Sequence, residues 1–282
     1  MEFITENGRA VGRIGQGTWY LGENAATAAR ERKALQAGVE AGMNLIDTAE
    51  MYGEGASEHL IGSAIRGMDR ASLYLVSKVY PFHADRRSIF LSCENSLRRL
   101  GTDYLDLYLL HWRGAVPLAE TVECMEELKE QGLILNWGVS NLDTDDMQQL
   151  FRVPQGDQCA ANQVLYHLGS RGIEYDLLPW LRQHKVPVMA YCPLAQAGSL
   201  RRGLMGSPAV HQVAKAHQAT PSQILLAFLL AQEGVVPIPR SSQAAHTLEN
   251  AKAAQIVLTP QELATLDQAF PAPNHKVFLD IV

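Results

Sequence analysis

Leu45-Ile46-Asp47-Thr48-Ala49-Glu50-Met51-Tyr52 begins as a short apolar run and turns polar at Asp47. Such runs, each followed by a segment of helical periodicity, recur along the chain and are typical of alternating β-strands and α-helices. Leu75-Val76-Ser77-Lys78 and Leu109-Leu110-His111 end in the same polar way. Parallel strands are buried on both faces, and their functional groups collect at their carboxyl ends. The pattern predicts a parallel α/β protein with its site along one edge.

The recurring unit predicts eight strands, the number found in a (β/α)8 or TIM barrel. The predicted strands are residues 14–17, 45–47, 73–77, 105–110, 134–139, 161–164, 186–191 and 235–238. The predicted helices are residues 26–41, 57–66, 87–100, 118–131, 143–150, 177–183, 221–231 and 246–254. The 282 residues suffice for one barrel. Because no linker or low-complexity tract divides the chain, we expect a single domain over residues 1–282.

Additional segments are predicted at the two ends of the barrel. Asn7-Gly8 between two apolar pairs predicts a β-hairpin in residues 1–11 that covers the barrel floor. Near the other end, Thr259 as a cap and Pro260 at the first helical position predict an extra C-terminal helix that runs to about Ala269.

Composition excludes several classes of protein. Hydrophobic residues make up 47% and charged residues 19%, as in an ordinary globular protein. The net charge of −6 argues against a surface for nucleic acid or anionic membrane, which would need clustered Lys and Arg. Residues 1–6 carry no signal-peptide pattern, and the longest apolar run, residues 224–231, is too short to cross a bilayer. We expect a cytoplasmic protein, a monomer or weak oligomer, without nucleic-acid or membrane partners.

The cysteines give no sign of a disulfide scaffold or a metal site. Cys93, Cys124, Cys159 and Cys192 are scattered, without a CxxC motif or a neighbouring His at metal-ligand spacing. We therefore expect reduced thiols and no bound metal.

Polar residues at the predicted strand ends are the candidate functional groups. Each has an ordinary explanation when taken singly: Asp47 could cap a turn, Lys78 could be solvated, and His111 could be a core histidine. A barrel, however, brings all the carboxyl ends of its strands to one rim. The residues that share this rim are Asp47, Lys78, His111, Ser140, Asn141, Gln163, Tyr191 and Arg240.

The segment from Asp47 to Tyr52, together with Lys78 and Leu109-Leu110-His111-Trp112, resembles the catalytic tetrad of the aldo-keto reductases. Gly15-Gln16-Gly17-Thr18-Trp19 extends the resemblance, which runs from about Gly12 to Ala269. It implies a (β/α)8 barrel enzyme that transfers hydride from NADPH to the carbonyl group of a small molecule.

The implied roles fit the chemistry of the four residues. Hydride arriving at a carbonyl carbon leaves negative charge on the oxygen, so a donor must supply a proton. Tyr52 is the expected donor, and Lys78 is expected to lower the pKa of its phenol. Asp47 would hold the ammonium group of Lys78. His111 would hydrogen-bond the carbonyl oxygen and orient the substrate.

The same resemblance implies a binding site for the cofactor. Ser140, Asn141 and Gln163 match the residues that bind the carboxamide, and Tyr191 matches the ring that stacks on the nicotinamide. Arg240 can supply a charged fork to a 2′-phosphate. The full implied set is Gly17, Thr18, Trp19, Asp47, Ser140, Asn141, Gln163, Tyr191, Pro193, Leu194, Ile238, Pro239, Arg240, Ser241, Ser242, His246, Glu249 and Asn250.

Two positions depart from the family pattern. His246 stands where the family usually has an Arg beside the adenine, so we expect a modest preference for NADPH over NADH. Cys192 stands where the family commonly has a Ser before Pro193-Leu194, and we expect this replacement to have little effect on cofactor binding.

The substrate wall is expected to combine Tyr52 and His111 with the aromatic residues Trp19, Tyr80 and Trp112. Only residues 270–282 follow the last predicted helix, whereas family members that bind large apolar substrates cover the barrel mouth with a longer tail. We therefore expect small activated carbonyls, as in the bacterial reductases of small dicarbonyls such as methylglyoxal. Two alternatives remain: a cofactor-sensing accessory module on the same barrel, and a different barrel enzyme such as a hydrolase.

Overall fold

The structure, a computed structural model, describes residues 3–4 and 10–282 as a barrel of parallel strands surrounded by helices. The strands are β1 (Phe3–Ile4), β2 (Ala10–Val11), β3 (Gln16–Gly17), β4 (Leu45–Asp47), β5 (Tyr74–Val79), β6 (Leu107–Leu110), β7 (Trp137–Ser140), β8 (Asn162–Leu165), β9 (Val188–Tyr191) and β10 (Val235–Pro237). The helices are α1 (Ala25–Glu40), α2 (Ala56–Ala64), α3 (Ile89–Leu100), α4 (Leu118–Glu130), α5 (Thr144–Leu150), α6 (Leu177–Gln183), α7 (Ser199–Met205), α8 (Pro208–Ala216), α9 (Pro221–Leu230), α10 (Ala244–Lys252) and α11 (Pro260–Ala269).

Strands β3 to β10 lie in chain order, and each is parallel to the next. The ring closes between its first and last strands, where Gly15 N donates to Pro237 O at 2.9 Å and Gly17 N to Pro239 O at 3.1 Å. A Cβ atom on Gly17 would lie 2.7 Å from the carbonyl oxygen of Ile238, so this approach requires glycine. The predicted (β/α)8 barrel is confirmed.

Strand periodicity explains which side chains reach the rim. Successive residues of a strand point to opposite faces, so Leu45 packs inside the barrel and Ile46 packs against the helices. Asp47 then points inward again, at the rim. In the same way Lys78, His111, Gln163 and Tyr191 come two residues after Val76, Leu109, Ala161 and Met189 of the interior cluster.

The hairpin strands β1 and β2 pair antiparallel, Phe3 with Val11 and Ile4 with Ala10. Val11 is buried in the same cluster as the interior residues of the barrel, which puts the hairpin at the floor, as predicted. The turn predicted at Asn7-Gly8 lies outside the described residues.

The nine predicted helices are present, with ends shifted by a few residues. Helix α11 begins with the expected cap: Thr259 N donates to Glu262 Oε2 at 2.8 Å, and Glu262 N donates to Thr259 Oγ1 at 3.3 Å. Strand β5 runs on to Val79, past its predicted end at Ser77, because Lys78 still belongs to the sheet and points into the barrel. Within the described chain, no helix is both long and apolar enough to span a membrane.

Helices α7 and α8, between β9 and α9, were not predicted. Helix α7 follows Gly198 and has no side-chain hydrogen bond at its cap, so its start carries no signal in the sequence. Helix α8 does carry one, because Pro208 occupies its first position.

Candidate active site

A cavity of about 940 Å³ opens at the carboxyl ends of the barrel strands. Most of the residues singled out in the sequence line it. They are Gly17, Thr18, Trp19, Asp47, Tyr52, His111, Trp112, Ser140, Asn141, Gln163, Tyr191, Pro193, Leu194, Ile238, Pro239 and Arg240. The rim of the barrel therefore forms one concave site, as the strand ends predicted.

Lys78 is fully buried just beneath the cavity wall. Its ammonium group donates three hydrogen bonds, to Asp47 Oδ2 at 2.9 Å, Thr48 O at 2.7 Å and Tyr52 Oη at 3.1 Å. An ammonium group has three donors, so all of them are used. The lysine is held in one orientation, with one N–H directed at the phenol oxygen of Tyr52.

Asp47 is the ionic partner of Lys78 and is itself 2% exposed. Its other carboxylate oxygen accepts a hydrogen bond from Gln163 Nε2 at 2.7 Å. Burial raises the pKa of Asp47 and lowers the pKa of Lys78, and the contact between the two groups opposes both shifts. The pair therefore keeps its charges through mutual contact.

Tyr52 lies in the turn after β4, with its hydroxyl at the base of the cavity. Burial, reinforced by the negative charge of Asp47, raises the pKa of Tyr52 well above its ordinary value. Burial sets this net direction, and the expected effect of Lys78, which is to lower the pKa of the phenol, remains a prediction. The phenol stays protonated at neutral pH. Since its oxygen accepts from Lys78, its own O–H is left to donate to another acceptor.

His111 packs edge-on against Tyr52, with ring centroids 5.7 Å apart. Burial, with a smaller contribution from the positive charge of Lys78, lowers the pKa of His111 to about 2. Its Nδ1 atom is buried and has no hydrogen-bond partner among the described residues. The ring is therefore a neutral imidazole with one N–H to donate.

The low pKa of His111 predicts a pH-dependent loss of stability. Between about 2, the folded value, and ~6.5, the unfolded value, the unfolded chain binds a proton that the folded chain does not. The contribution to stability is complete above that window and falls by about 1.4 kcal/mol per pH unit as the pH is lowered through it.

Urea unfolding at several pH values from 7.5 to 4.5 tests this prediction. As the pH is lowered, we expect the free energy of unfolding to fall less steeply in His111→Asn than in the parent protein. The difference in slope should correspond to one bound proton, or about 1.4 kcal/mol per pH unit. His167, whose pKa burial lowers to about 4, adds the same slope to both proteins and serves as an internal control. Identical slopes would contradict the assignment of a neutral, buried His111.

The side chains predicted to bind the carboxamide form a hydrogen-bonded group on one wall. Tyr191 Oη donates to Asn141 Oδ1 at 2.9 Å, and Ser140 Oγ donates to the backbone oxygen of Gln163 at 2.9 Å. Asn141 Nδ2 donates to the backbone oxygen of His111 at 3.2 Å. Asn141 adopts a left-handed backbone with φ 58°, which asparagine tolerates better than most residues. These contacts fix the ring of Tyr191 over the cavity.

The residues predicted around the adenosine lie farther out. Arg240 is exposed and lines the mouth of the cavity. Glu249 Oε1 accepts from Thr220 Oγ1 at 2.6 Å, at the start of α9. Five of the predicted cofactor-binding residues do not line the cavity, namely Ser241, Ser242, His246, Glu249 and Asn250, and the last of these is buried.

The aromatic wall differs from the prediction at one position. Trp19 and Trp112 line the cavity, and Trp19 stacks on Tyr52 with centroids 6.2 Å apart. Tyr80 is half-buried and packs edge-on against Trp112, with ring centroids 5.6 Å apart, and its ring also contacts Phe82. Tyr80 is not among the residues that line the cavity.

Several lining residues were not predicted, and the chain after α11 contributes two of them, Ile281 and Val282. Lys276 ties this segment to the barrel through Asp145 at 2.8 Å and Asp176 at 3.6 Å. The short segment after α11 therefore reaches the cavity wall. The other unpredicted lining residues are Tyr20, Met51, Arg113, Asp146, Cys192, Ala195, Gln196, Ala197 and Arg201.

Arg113 and Asp146 form an ion pair at 2.9 Å in the cavity wall, which gives both charges a partner. Met51 has an evident sequence signal, because it precedes Tyr52. The segment after α11 has none, since its course depends on long-range contacts.

The four cysteines are free thiols, and only Cys192 lines the cavity. Burial raises the pKa of Cys192 to about 11, so it is protonated at neutral pH. No three His, Cys, Asp or Glu side chains of residues 3–4 and 10–282 are grouped as metal ligands would be.

Known proteins of the same kind match nearly all of this chain. The chain is 55% identical over 269 residues to methylglyoxal reductase YeaE of Escherichia coli K12, covering 95% of this chain and 94% of the relative. Methylglyoxal reductase DkgB of Escherichia coli O157:H7 is 28% identical over 92% of this chain and 94% of its own.

Among solved structures, an aldo/keto reductase of Klebsiella pneumoniae in complex with NADP and acetate superposes with a TM-score of 0.97. The two sequences are 55% identical, and the match covers 100% of this chain and 99% of the other. The sequence profile described as "Aldo/keto reductase family" matches residues 13–270. As its rim residues predicted, the chain belongs to the aldo/keto reductase family.

Proposed function

We propose that this aldo-keto reductase uses NADPH to reduce the carbonyl group of small aldehydes, ketones and 2-oxoaldehydes such as methylglyoxal to an alcohol. The observation that carries the proposal is the hydrogen bond from Lys78 to Tyr52, which leaves a protonated phenol facing the cavity beside a neutral His111. The identity of 55% to a methylglyoxal reductase supports the choice of substrate. Because Tyr52 and Lys78 are positioned for proton transfer, the site also favours an enzyme over a cofactor-sensing accessory module.

The cavity fits a nicotinamide cofactor. Its inner wall holds the fixed side chains of Asn141, Gln163 and Tyr191, and its mouth holds the exposed cation Arg240. Ser140, Asn141 and Gln163 would bind the carboxamide, Tyr191 would pack on the ring, and Arg240 would meet the 2′-phosphate. When bound, NADPH supplies the hydride that reduces the carbonyl carbon.

The protein's own groups handle the oxygen end of the carbonyl. His111 donates a hydrogen bond to the carbonyl oxygen and orients it toward Tyr52. As negative charge develops on that oxygen, Tyr52 gives up its proton. Lys78 stabilises the phenolate through the contact at 3.1 Å, and Asp47 keeps Lys78 charged. The dry, preorganised site makes these interactions stronger than they would be in water.

Arg240→Ala should weaken NADPH binding by about ten- to a hundredfold and NADH binding by less than about threefold, since a charged hydrogen bond contributes about 1.5–3 kcal/mol. Fluorescence titration of both cofactors measures the two losses. Arg202→Ala, at an exposed arginine outside the cavity, is the matched control and should change neither. Equal losses of both cofactors in Arg240→Ala would show that Arg240 does not bind the 2′-phosphate.

Small activated carbonyls should be the best substrates by kcat/KM. Trp19, Trp112, Ile281 and Val282 line the cavity, so its wall suits a compact, partly polar ligand. An electron-withdrawing neighbour makes a carbonyl a better hydride acceptor, which compensates for few binding contacts. The measurement is the loss of NADPH absorbance with methylglyoxal, short aldehydes, aromatic aldehydes, open-chain sugars and a ketosteroid. A ketosteroid in first place would refute the substrate class but not the reductase assignment.

A cytoplasmic location and a monomeric or weakly associating chain complete the proposal. The similarity to methylglyoxal reductases of Escherichia coli supports the first. Cell fractionation and sedimentation velocity measure the two properties.

A further inference from the structure

The turn that carries Tyr52 is short and irregular. Gly53, Glu54 and Gly55 all have left-handed backbones, with φ of 57°, 54° and 89°. Glycine adopts this region freely, whereas glutamate does so at a cost. Helix α2 starts at once at Ala56, and its cap makes no side-chain hydrogen bond. Contacts from neighbouring elements must therefore fix the position of Tyr52.

A buried carboxylate in the first turn of α2 makes such contacts. Glu58 has no exposed surface, and the cavity does not reach it. It accepts hydrogen bonds from Ser77 Oγ at 2.6 Å and Arg99 Nε at 2.5 Å. Ser77 immediately precedes Lys78 in β5. Glu58 therefore joins the helix that follows Tyr52 to the strand that carries Lys78.

Arg99, in α3, contacts both Glu58 and the turn that carries Tyr52. A Cβ atom on Gly55 would lie 2.5 Å from Arg99 Cδ, so the arginine stem packs directly against the end of the turn. The ion pair with Glu58 holds the arginine there. Removing one partner of a buried ion pair leaves the other without compensation, so the pair acts as a unit.

We propose that Ser77, Glu58 and Arg99 form a positioning network that sets the contact between Tyr52 and Lys78. The proposal rests on the function proposed above, in which this contact stabilises the phenolate. Lys78 Nζ donates to Tyr52 Oη at 3.1 Å. A small displacement of the turn that carries Tyr52 or of the strand that carries Lys78 would lengthen this hydrogen bond. Glu58 has a supporting effect through charge: burial lowers the pKa of Lys78, and Asp47 and then Glu58 oppose that shift.

The test compares Glu58→Gln with Asp106→Asn. Asp106 is also fully buried, pairs with an arginine, Arg70, at 2.8 Å, and accepts from β5 through Leu75 N at 2.8 Å. Its contact with β5, at Leu75, is near the start of that strand, whereas Lys78 is near its end. Both substitutions remove a buried charge of the same kind, so both should lower the melting temperature, but only Glu58→Gln alters the support of Tyr52.

For Glu58→Gln we expect kcat to fall about tenfold, NADPH affinity to stay within about twofold, and the solvent deuterium isotope effect on kcat/KM to increase, because the proton transfer becomes slower. Asp106→Asn should keep kcat and the isotope effect within about twofold of the parent values. Ser77→Ala, a smaller change, should lower kcat in the same direction by less. It preserves the test if Glu58→Gln does not fold.

A readout without turnover separates this inference from the proposed function. The protein has nine tyrosines, so labelling of tyrosine Cζ with ¹³C gives a spectrum in which Tyr52→Phe identifies the resonance of Tyr52. That resonance reports the hydrogen bond from Lys78. It should shift in Glu58→Gln and Ser77→Ala and stay in place in Asp106→Asn. An unshifted resonance together with an unchanged kcat in both network variants would overturn the network. A parent enzyme that oxidises no NADPH with any carbonyl would instead overturn the proposed function.

Discussion

Tyr52→Phe should lower kcat for methylglyoxal reduction by about 10³-fold, within the range of about 10²–10⁴ that a positioned general acid contributes. The substitution removes one oxygen atom and leaves the ring that stacks on Trp19. The affinity for NADPH should stay within about threefold, because the hydroxyl is not among the groups proposed to bind the cofactor. Initial rates and a fluorescence titration of the cofactor measure the two quantities.

Trp19→Phe is a suitable control for that experiment. It changes the ring that stacks on Tyr52 but leaves the hydroxyl group of Tyr52 in place, so it should raise KM more than it lowers kcat. Near-normal turnover in Tyr52→Phe would refute the assignment of the proton donor, whatever happens in the control.

Lys78→Met should lower kcat by about 10²-fold or more, because the phenolate of Tyr52 loses the cation that stabilises it. It should also destabilise the fold by about 3–5 kcal/mol, since Asp47 is left as a buried charge without its partner. Activity assays and urea unfolding separate the two effects.

The double variant Lys78→Met with Asp47→Asn distinguishes a catalytic loss from a folding defect. The introduced amide oxygen would still accept a hydrogen bond from Gln163, and neither member of the ion pair would remain as an uncompensated charge. We expect much of the stability to return while kcat stays low. Recovery of activity along with stability would mean that Lys78 acts only through the fold.

The fold was predictable because each barrel strand repeats one local rule. Apolar residues alternate between the barrel interior and the helix layer, and the next inward position after Leu45, Val76 or Leu109 is polar. Such a pattern can be read without knowing any tertiary contact. Helix α7 and the course of residues 270–282 follow no such repeating pattern. Helix α7 begins after a glycine, and residues 270–282 are held by ion pairs that leave no periodic signal in the sequence.

The sequence predicted which residues form the site better than it predicted the pKa values of those residues. Sequence placed Tyr52 and Lys78 together, but the direction of the phenol pKa depends on how deeply both groups are buried. Tyr80 follows Lys78 by two residues and would point to the cavity if β5 continued. The strand ends at Val79, and Tyr80 therefore leaves the periodic pattern. Glu58 gave no signal, because a glutamate in the first turn of a helix is ordinary.

The seam between β3 and β10 also governs the order in which this protein can become functional. Its hydrogen bonds join Gly15 to Pro237, residues roughly 220 positions apart, so the ring is among the last and slowest contacts to form. Gly17 and Arg240 lie on either side of this seam and both line the cavity. A chain still being synthesised therefore lacks the β10 side of this seam, including Arg240, until β10 has emerged. A ligand that bridges the seam would bind only the completed ring and, by mass action, hold the first and last strands together.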